Sequence, residues 1–123
     1  MTKISSIGGG AWGTALACVA ARAVEDVILW AREETVVQEI NFRHVNETFL
    51  KDIPLAHNIK ATTDLAKACA SDVILMVPPA QFLRAVLKDM QPFLDAKTPL
   101  ILCAKGIEQQ SGLLMTCLLY TSP

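Results

Sequence analysis

Short apolar runs recur along the chain, and polar or turn-forming residues separate them. Ile4 to Ile7 is the first run, brief and β-compatible, and it leads straight into Gly8. From Ala11 to about Ala23 the side chains are mostly small and apolar, which predicts a helix lying close on a sheet. Val27-Ile28-Leu29-Trp30 reads as a second buried strand. Glu33 to Ile40 has helical spacing, with Val36, Val37 and Ile40 on one side. Asn41 to Leu55 is irregular, a loop that leaves the sheet and returns. Ile59 to Thr62 is a short strand, and Thr63 is a candidate N-cap for a helix from Asp64 to Ala70. Val73 to Val77 is another buried strand, stopped by Pro78-Pro79. Gln81 to Met90 is amphipathic, with Phe82, Ala85, Val86 and Met90 expected to point inward. Leu100 to Cys103 is the last buried strand, started after Pro99. Continuous apolar strands alternating with helices predict an α/β fold: a doubly wound parallel sheet, covered on both faces, with right-handed crossovers.

Composition narrows the classes. With 123 residues the chain makes one domain rather than two. At 52% apolar residues and a net charge of −1 it can bury a core, and it offers no electrostatic case for nucleic acid or an anionic membrane. No stretch reaches the roughly 20 apolar residues of a membrane span. The run from Lys3 to Ala21 loosely imitates a signal peptide, but Gly8-Gly9-Gly10 interrupts its centre. Cys18, Cys69, Cys103 and Cys117 form no Cys-x-x-Cys pair and have no accompanying His ligand, which argues against a metal site. Three of them lie in apolar runs, where a free thiol acts as a small hydrophobe, and this usage fits the reducing cytoplasm.

The chemistry concentrates at Gly8-Gly9-Gly10-Ala11-Trp12-Gly13, which satisfies Gly-x-Gly-x-x-Gly. Gly8 permits a tight turn out of the strand, Gly10 lets a pyrophosphate approach the backbone, and Gly13 lets the helix lie close to the sheet. Free N–H groups at the helix start, with the positive end of its dipole, suit phosphate. The pattern alone is weak. Here it follows a strand, opens a helix and precedes a second strand, which is the context of a dinucleotide site. The bland alternative is a turn that only packs a helix onto a sheet.

About 20 residues on, the end of the second strand decides between the two nicotinamide dinucleotides. Ala31-Arg32-Glu33-Glu34 stands there. Arg32 can pair with the 2′-phosphate of NADP or stack on adenine, while the adjacent Glu33 leaves NAD open. Both glutamates also suit a plain helix start. Lys105, in Ala104-Lys105-Gly106, follows the last strand, at the edge where open parallel sheets bind ligands, and can reach a substrate anion or the cofactor. Pro78-Pro79 occupies the equivalent edge and is a candidate wall. Phe82 could press on the ring system there or belong to the core. His44 and His57 have no telling partner and read as surface or loop-packing residues.

Taken together, Gly8 to Ala17 (GGGAWGTALA), Leu29-Trp30-Ala31-Arg32, Asn46 with Phe49-Leu50 and Ile53-Pro54-Leu55, Ala61 to Leu65, Val77-Pro78 and Lys105-Gly106-Ile107-Glu108 resemble the amino-terminal domain of bacterial NAD(P)-dependent glycerol-3-phosphate dehydrogenases. The resemblance covers about residues 3 to 115. It implies a Rossmann domain at 1–116 with a non-matching tail at 117–123. It implies reversible reduction of dihydroxyacetone phosphate to sn-glycerol 3-phosphate, feeding glycerophospholipid synthesis, with NADP or NAD as cofactor. By the same resemblance the turn, with Gly8, Gly9, Gly10, Ala11, Trp12 and Gly13, contacts the cofactor. Arg32 faces its adenosine end, Phe82 touches the dinucleotide, and Lys105 lies between cofactor and substrate.

Three positions depart from the family pattern. Ala11 stands where Ser is frequent, Pro79 where a small or polar residue is common, and Lys51 where Pro is usual. The family's general-base Lys belongs to a helical carboxy-terminal domain that these 123 residues lack, so no catalytic residue is assigned and the fragment is expected to bind cofactor without turnover. A homodimer of the full-length protein stays open. So do a second small hydroxy-acid dehydrogenase of the same fold and a non-catalytic nucleotide-binding module.

Overall fold

Apolar runs of this length suit strands rather than helices, and each one becomes a strand. The computed structural model describes residues 2–78 and 80–103. A single parallel sheet is built from β1 (Lys3–Ile7), β2 (Asp26–Trp30), β3 (Ile59–Thr62), β4 (Val73–Met76) and β5 (Leu100–Leu102). Their order across the sheet is β3-β2-β1-β4-β5. Helices α1 (Ala11–Ala23) and α2 (Glu34–Arg43) link the first three strands; α3 (Leu65–Cys69) carries the chain across to β4, and α4 (Leu83–Met90) leads to β5. The chain thus winds outward from β1 in one direction, then returns and winds in the other. The doubly wound sheet expected from the apolar runs is the fold observed.

Two apolar layers hold it. On one face Ala17, Leu29, Val36, Ile40 and Ile59 pack beneath α1 and α2. On the other Ile7, Ile74, Met76, Leu83 and Met90 pack beneath α3 and α4. Full burial of each large side chain contributes about 1.5–3 kcal/mol relative to exposure. The polar pair Ser5-Ser6 sits fully buried inside β1, and its hydroxyls are used. Ser5 donates to the carbonyl of Ala68 in α3 and contacts the Ser71 hydroxyl, while Ser6 donates to the carbonyl of Gly13 at 3.0 Å. Each serine therefore ties the central strand to the helix on its own face.

Small side chains set the position of α1. Its buried residues are Gly13, Thr14, Ala17 and Ala20, a stripe at helical spacing that lets the backbone approach the sheet. At the outer edge of the sheet one side chain engages Ala61 of β3: Asn41 accepts from the Ala61 N–H at 2.8 Å and donates to the Ala61 carbonyl at 3.0 Å. Helix α2 runs through Asn41 to Arg43, past the expected end at Ile40, and closes on His44 in the left-handed region (φ 55°). The loop then returns where Leu55 N–H meets the His44 carbonyl at 2.7 Å. His44 and His57 stack with ring centroids 4.0 Å apart, a packing role like the one expected.

Two details differ from the sequence expectation. The cap of α3 is Asp64, whose carboxylate accepts from Ala66 N–H at 2.9 Å; Thr63 precedes it and its carbonyl instead accepts from the Trp30 indole at 2.9 Å. The buried stripe of α4 is Leu83, Val86, Leu87 and Met90, while Phe82 and Ala85 are exposed. A 3₁₀ turn over Ala80–Phe82 precedes the helix, so Phe82 does not share its phase. Among the described residues no helix is long and apolar enough to cross a membrane.

Candidate functional site

The carboxyl ends of the strands lie level, because Ile7 pairs with Trp30 and Met76, and Met76 with Leu102. The chain turns out of β1 at this edge. Gly8 has φ +134°, and its N–H bonds the Trp30 carbonyl at 2.9 Å. A side chain on Gly8 would also meet the Val77 carbonyl group at 2.9 Å, so glycine is needed for conformation and for space. A Cβ on Gly13 would fall 1.9 Å from the Gly8 oxygen, so only glycine allows α1 to start this close to β1. Gly10 is different. A Cβ there would meet no atom of the described residues within 4 Å, which leaves open space among them directly above the backbone.

That open space belongs to a cavity of about 390 Å³. Its floor is the turn from Gly8 to Gly13, the whole glycine motif. Trp30, Arg32 and Glu33 close it from the end of β2, Val77 and Pro78 from the end of β4, and Phe82 and Val86 from the segment after it. Phe49 enters from the irregular loop. Arg32 and Phe82 meet across it, with the guanidinium carbon 4.9 Å from the ring centroid, a cation–π pair. Phe82 is 44% exposed, which corrects its expected inward packing and frees its face for the cavity.

Gly10 is the N-cap residue of α1 and offers no side-chain cap, so the free N–H groups at this end lie beside the cavity. Fixed N–H donors and a helix dipole favour a bound anion. The donor set, the open approach over Gly10 and an arginine in the same cavity fit a pyrophosphate with an adenosine attached. Trp12 is 55% exposed, and its Nε1 donates to the Cys103 carbonyl at 3.1 Å. Burial raises the Cys103 thiol above its ordinary value, as it does for Cys69 and for Cys18, where Arg22 opposes the effect. Burial thus disfavours the thiolate, the reactive form, at each of the three. Cys69 is the fully packed one, while Cys18 and Cys103 are half-buried.

Nine of the motif and pocket residues singled out in the sequence line this cavity: Gly8, Gly9, Gly10, Ala11, Trp12 and Gly13, with Arg32, Pro78 and Phe82. Lys105, Pro79, Cys117 and the tail lie outside the described residues. Asn46 and Phe49 belong to the family pattern, but the sequence assigns neither a role in the site. Phe49 lines the cavity, and Asn46 is fully buried behind the turn and bonds Gly9 and Thr14, a role that an Asn in an irregular stretch does not announce.

Comparison with known proteins agrees with this geometry. The model of the NAD-dependent glycerol-3-phosphate dehydrogenase N-terminus matches residues 3–121. Glycerol-3-phosphate dehydrogenase [NAD(P)+] of Parvibaculum lavamentivorans is 52% identical over 114 residues, covering 93% of this chain and 34% of that protein. The corresponding protein of Caulobacter vibrioides is 53% identical over 114 residues, with the same coverage. The crystal structure of glycerol-3-phosphate dehydrogenase from Coxiella burnetii superposes with a TM-score of 0.89 at 34% identity, over 98% of this chain and 37% of that one. The chain spans about a third of the length of these relatives. It belongs to the family of NAD-dependent glycerol-3-phosphate dehydrogenases, of which it carries the N-terminal domain.

Proposed function

We propose that this chain holds NADP or NAD along the glycine turn, as the cofactor half of an enzyme that interconverts dihydroxyacetone phosphate and sn-glycerol 3-phosphate. The observation that carries the reading is one cavity lined by both the glycine turn and the Arg32–Phe82 pair. The pyrophosphate lies over Gly10, at the uncapped start of α1, where no described side chain intrudes. The adenosine lies towards Arg32 and Phe82, and Arg32 meets a 2′-phosphate where one is present. A nicotinamide dinucleotide supplies a hydride when bound. The residues of this chain bind it, orient it and shield one side with Val77, Pro78 and Phe82.

Lys105 completes the reading as the residue between cofactor and substrate. The general base and most substrate contacts belong to the helical C-terminal domain of a full-length enzyme, and glycerophospholipid synthesis in the cytoplasm is its setting. Calorimetric titration with NADPH and NADH tests the cofactor half directly: saturable binding of either supports it, and heats no larger than dilution for both reject it. Joining the chain to a relative's helical C-terminal domain tests the rest. Oxidation of NADPH or NADH that depends on dihydroxyacetone phosphate is the expected result.

A further inference from the structure

The Asn46 side chain reaches back 37 residues to the turn. Its Nδ2 donates to the Gly9 carbonyl at 2.9 Å and to Thr14 Oγ1 at 2.8 Å. The Thr14 hydroxyl lies 3.4 Å from the same Gly9 carbonyl. On its other side Oδ1 accepts from Phe49 N–H at 3.4 Å, and the Asn46 carbonyl accepts from Leu50 N–H at 2.7 Å. Asn46 and Thr14 are both fully buried. A buried amide is costly unless its hydrogens are used, and here both Nδ2 hydrogens have acceptors.

The consequence lies in the Gly9–Gly10 peptide. A trans peptide points its carbonyl and its N–H in opposite directions. Holding the Gly9 oxygen inward, between Asn46 and Thr14, therefore turns the Gly10 N–H outward to the cavity. Glycines alone would leave that plane free to rotate. The same asparagine fixes the turn over residues 46–50 that brings Phe49 to the cavity wall. We infer that Asn46, with Thr14, is a positioning residue that orients the Gly9–Gly10 peptide for a diphosphate and couples that orientation to the placement of Phe49. The inference rests on the dinucleotide reading of the cavity.

Nuclear magnetic resonance titrations of the chain with two probes separate the outcomes. ADP-ribose carries the pyrophosphate; adenosine carries none. The substitutions Asn46→Leu and Thr14→Val add no charge and preserve volume closely, and Thr14→Ser keeps the hydroxyl. The expected result is ADP-ribose affinity at least tenfold weaker in Asn46→Leu and about threefold or more weaker in Thr14→Val. Thr14→Ser stays within about twofold of the original chain, and the adenosine response at Arg32 and Phe82 is unchanged in every variant that keeps the native spectrum. Should Asn46→Leu fail to fold, the Thr14→Val and Thr14→Ser pair decides alone. Undiminished ADP-ribose affinity in Thr14→Val and in any folded Asn46→Leu, or equal losses for both probes, overturns the inference while leaving the cavity's reading intact. An original chain that binds neither probe overturns both.

Discussion

The indole Nε1 of Trp12 donates to the Cys103 carbonyl at 3.1 Å, joining residues 91 apart in the chain. The start of α1 is thereby fastened to the end of β5 on the rim of the cavity. The other indole, Trp30, is buried and bonded to Thr63. Both indoles line the cavity, but only that of Trp12 is largely exposed there. Addition of NADPH is expected to quench Trp12 emission more strongly than that of Trp30. Replacing Trp12 by Phe should remove most of the change, and a Trp12→Phe chain that is quenched as strongly as the original would place the response elsewhere.

Arg32 should set the choice between the two dinucleotides. Charge-assisted bonds to a phosphate contribute about 1.5–3 kcal/mol, or roughly tenfold or more in affinity. Arg32→Asp is expected to lower the ratio of NADPH to NADH affinity by at least about tenfold. Because the guanidinium rests on Phe82, Phe82→Leu should lower the same ratio by a smaller factor. A ratio unchanged in Arg32→Asp would remove Arg32 from cofactor selection.

Two glycines in one motif should fail in different ways. Gly13→Ala forces a methyl against the Gly8 carbonyl, and overpacking of this kind costs roughly 1–3 kcal/mol or more. Gly10→Ala meets no atom of the described residues and should cost under about 1 kcal/mol, the scale of a changed N-cap. Its methyl nevertheless occupies the space above the backbone where a phosphate would come. Urea unfolding with cofactor titration checks the pair: Gly13→Ala loses stability, and Gly10→Ala loses binding with stability nearly intact.

Cys69 should make stability fall in alkaline solution. Burial raises its thiol above the ordinary value, so the folded chain holds that proton more tightly than the unfolded chain. This contribution is fully present below the ordinary thiol pKa of about 8.5 and is lost as pH rises through the higher folded value. The urea midpoint should drop as pH rises above about 8.5, and Cys69→Ala should drop less. In the native state at about pH 8, iodoacetamide should modify Cys69 more slowly than Cys18 or Cys103, as peptide mapping would show.

Much of this architecture was legible because it is local. Apolar runs such as Val27 to Trp30 announce strands, and Gly8 to Gly13 announces a turn whose reasons are steric. The phase of α4 was harder. Both Phe82 and Leu83 begin an apolar series that continues through Val86 and Met90, and only the 3₁₀ turn ahead of the helix decides which one is buried. Thr63 and Asp64 are both good cap residues, and the choice between them depended on a tryptophan 33 residues away. The role of Asn46 was illegible because its partners are 32 and 37 residues distant, and no spacing rule connects a loop amide to a glycine carbonyl.

The bidentate clasp of Asn41 on Ala61 has a consequence beyond the single protomer. An outer strand with a vacant donor and acceptor is a template on which a foreign strand can add, and that is how native sheets seed aggregates. At Ala61 both groups are already engaged by a side chain from α2. The clasp acts as a gatekeeper, capping the β3 border against strand-by-strand growth. Replacing Asn41 would leave both Ala61 groups free for a strand from outside the fold.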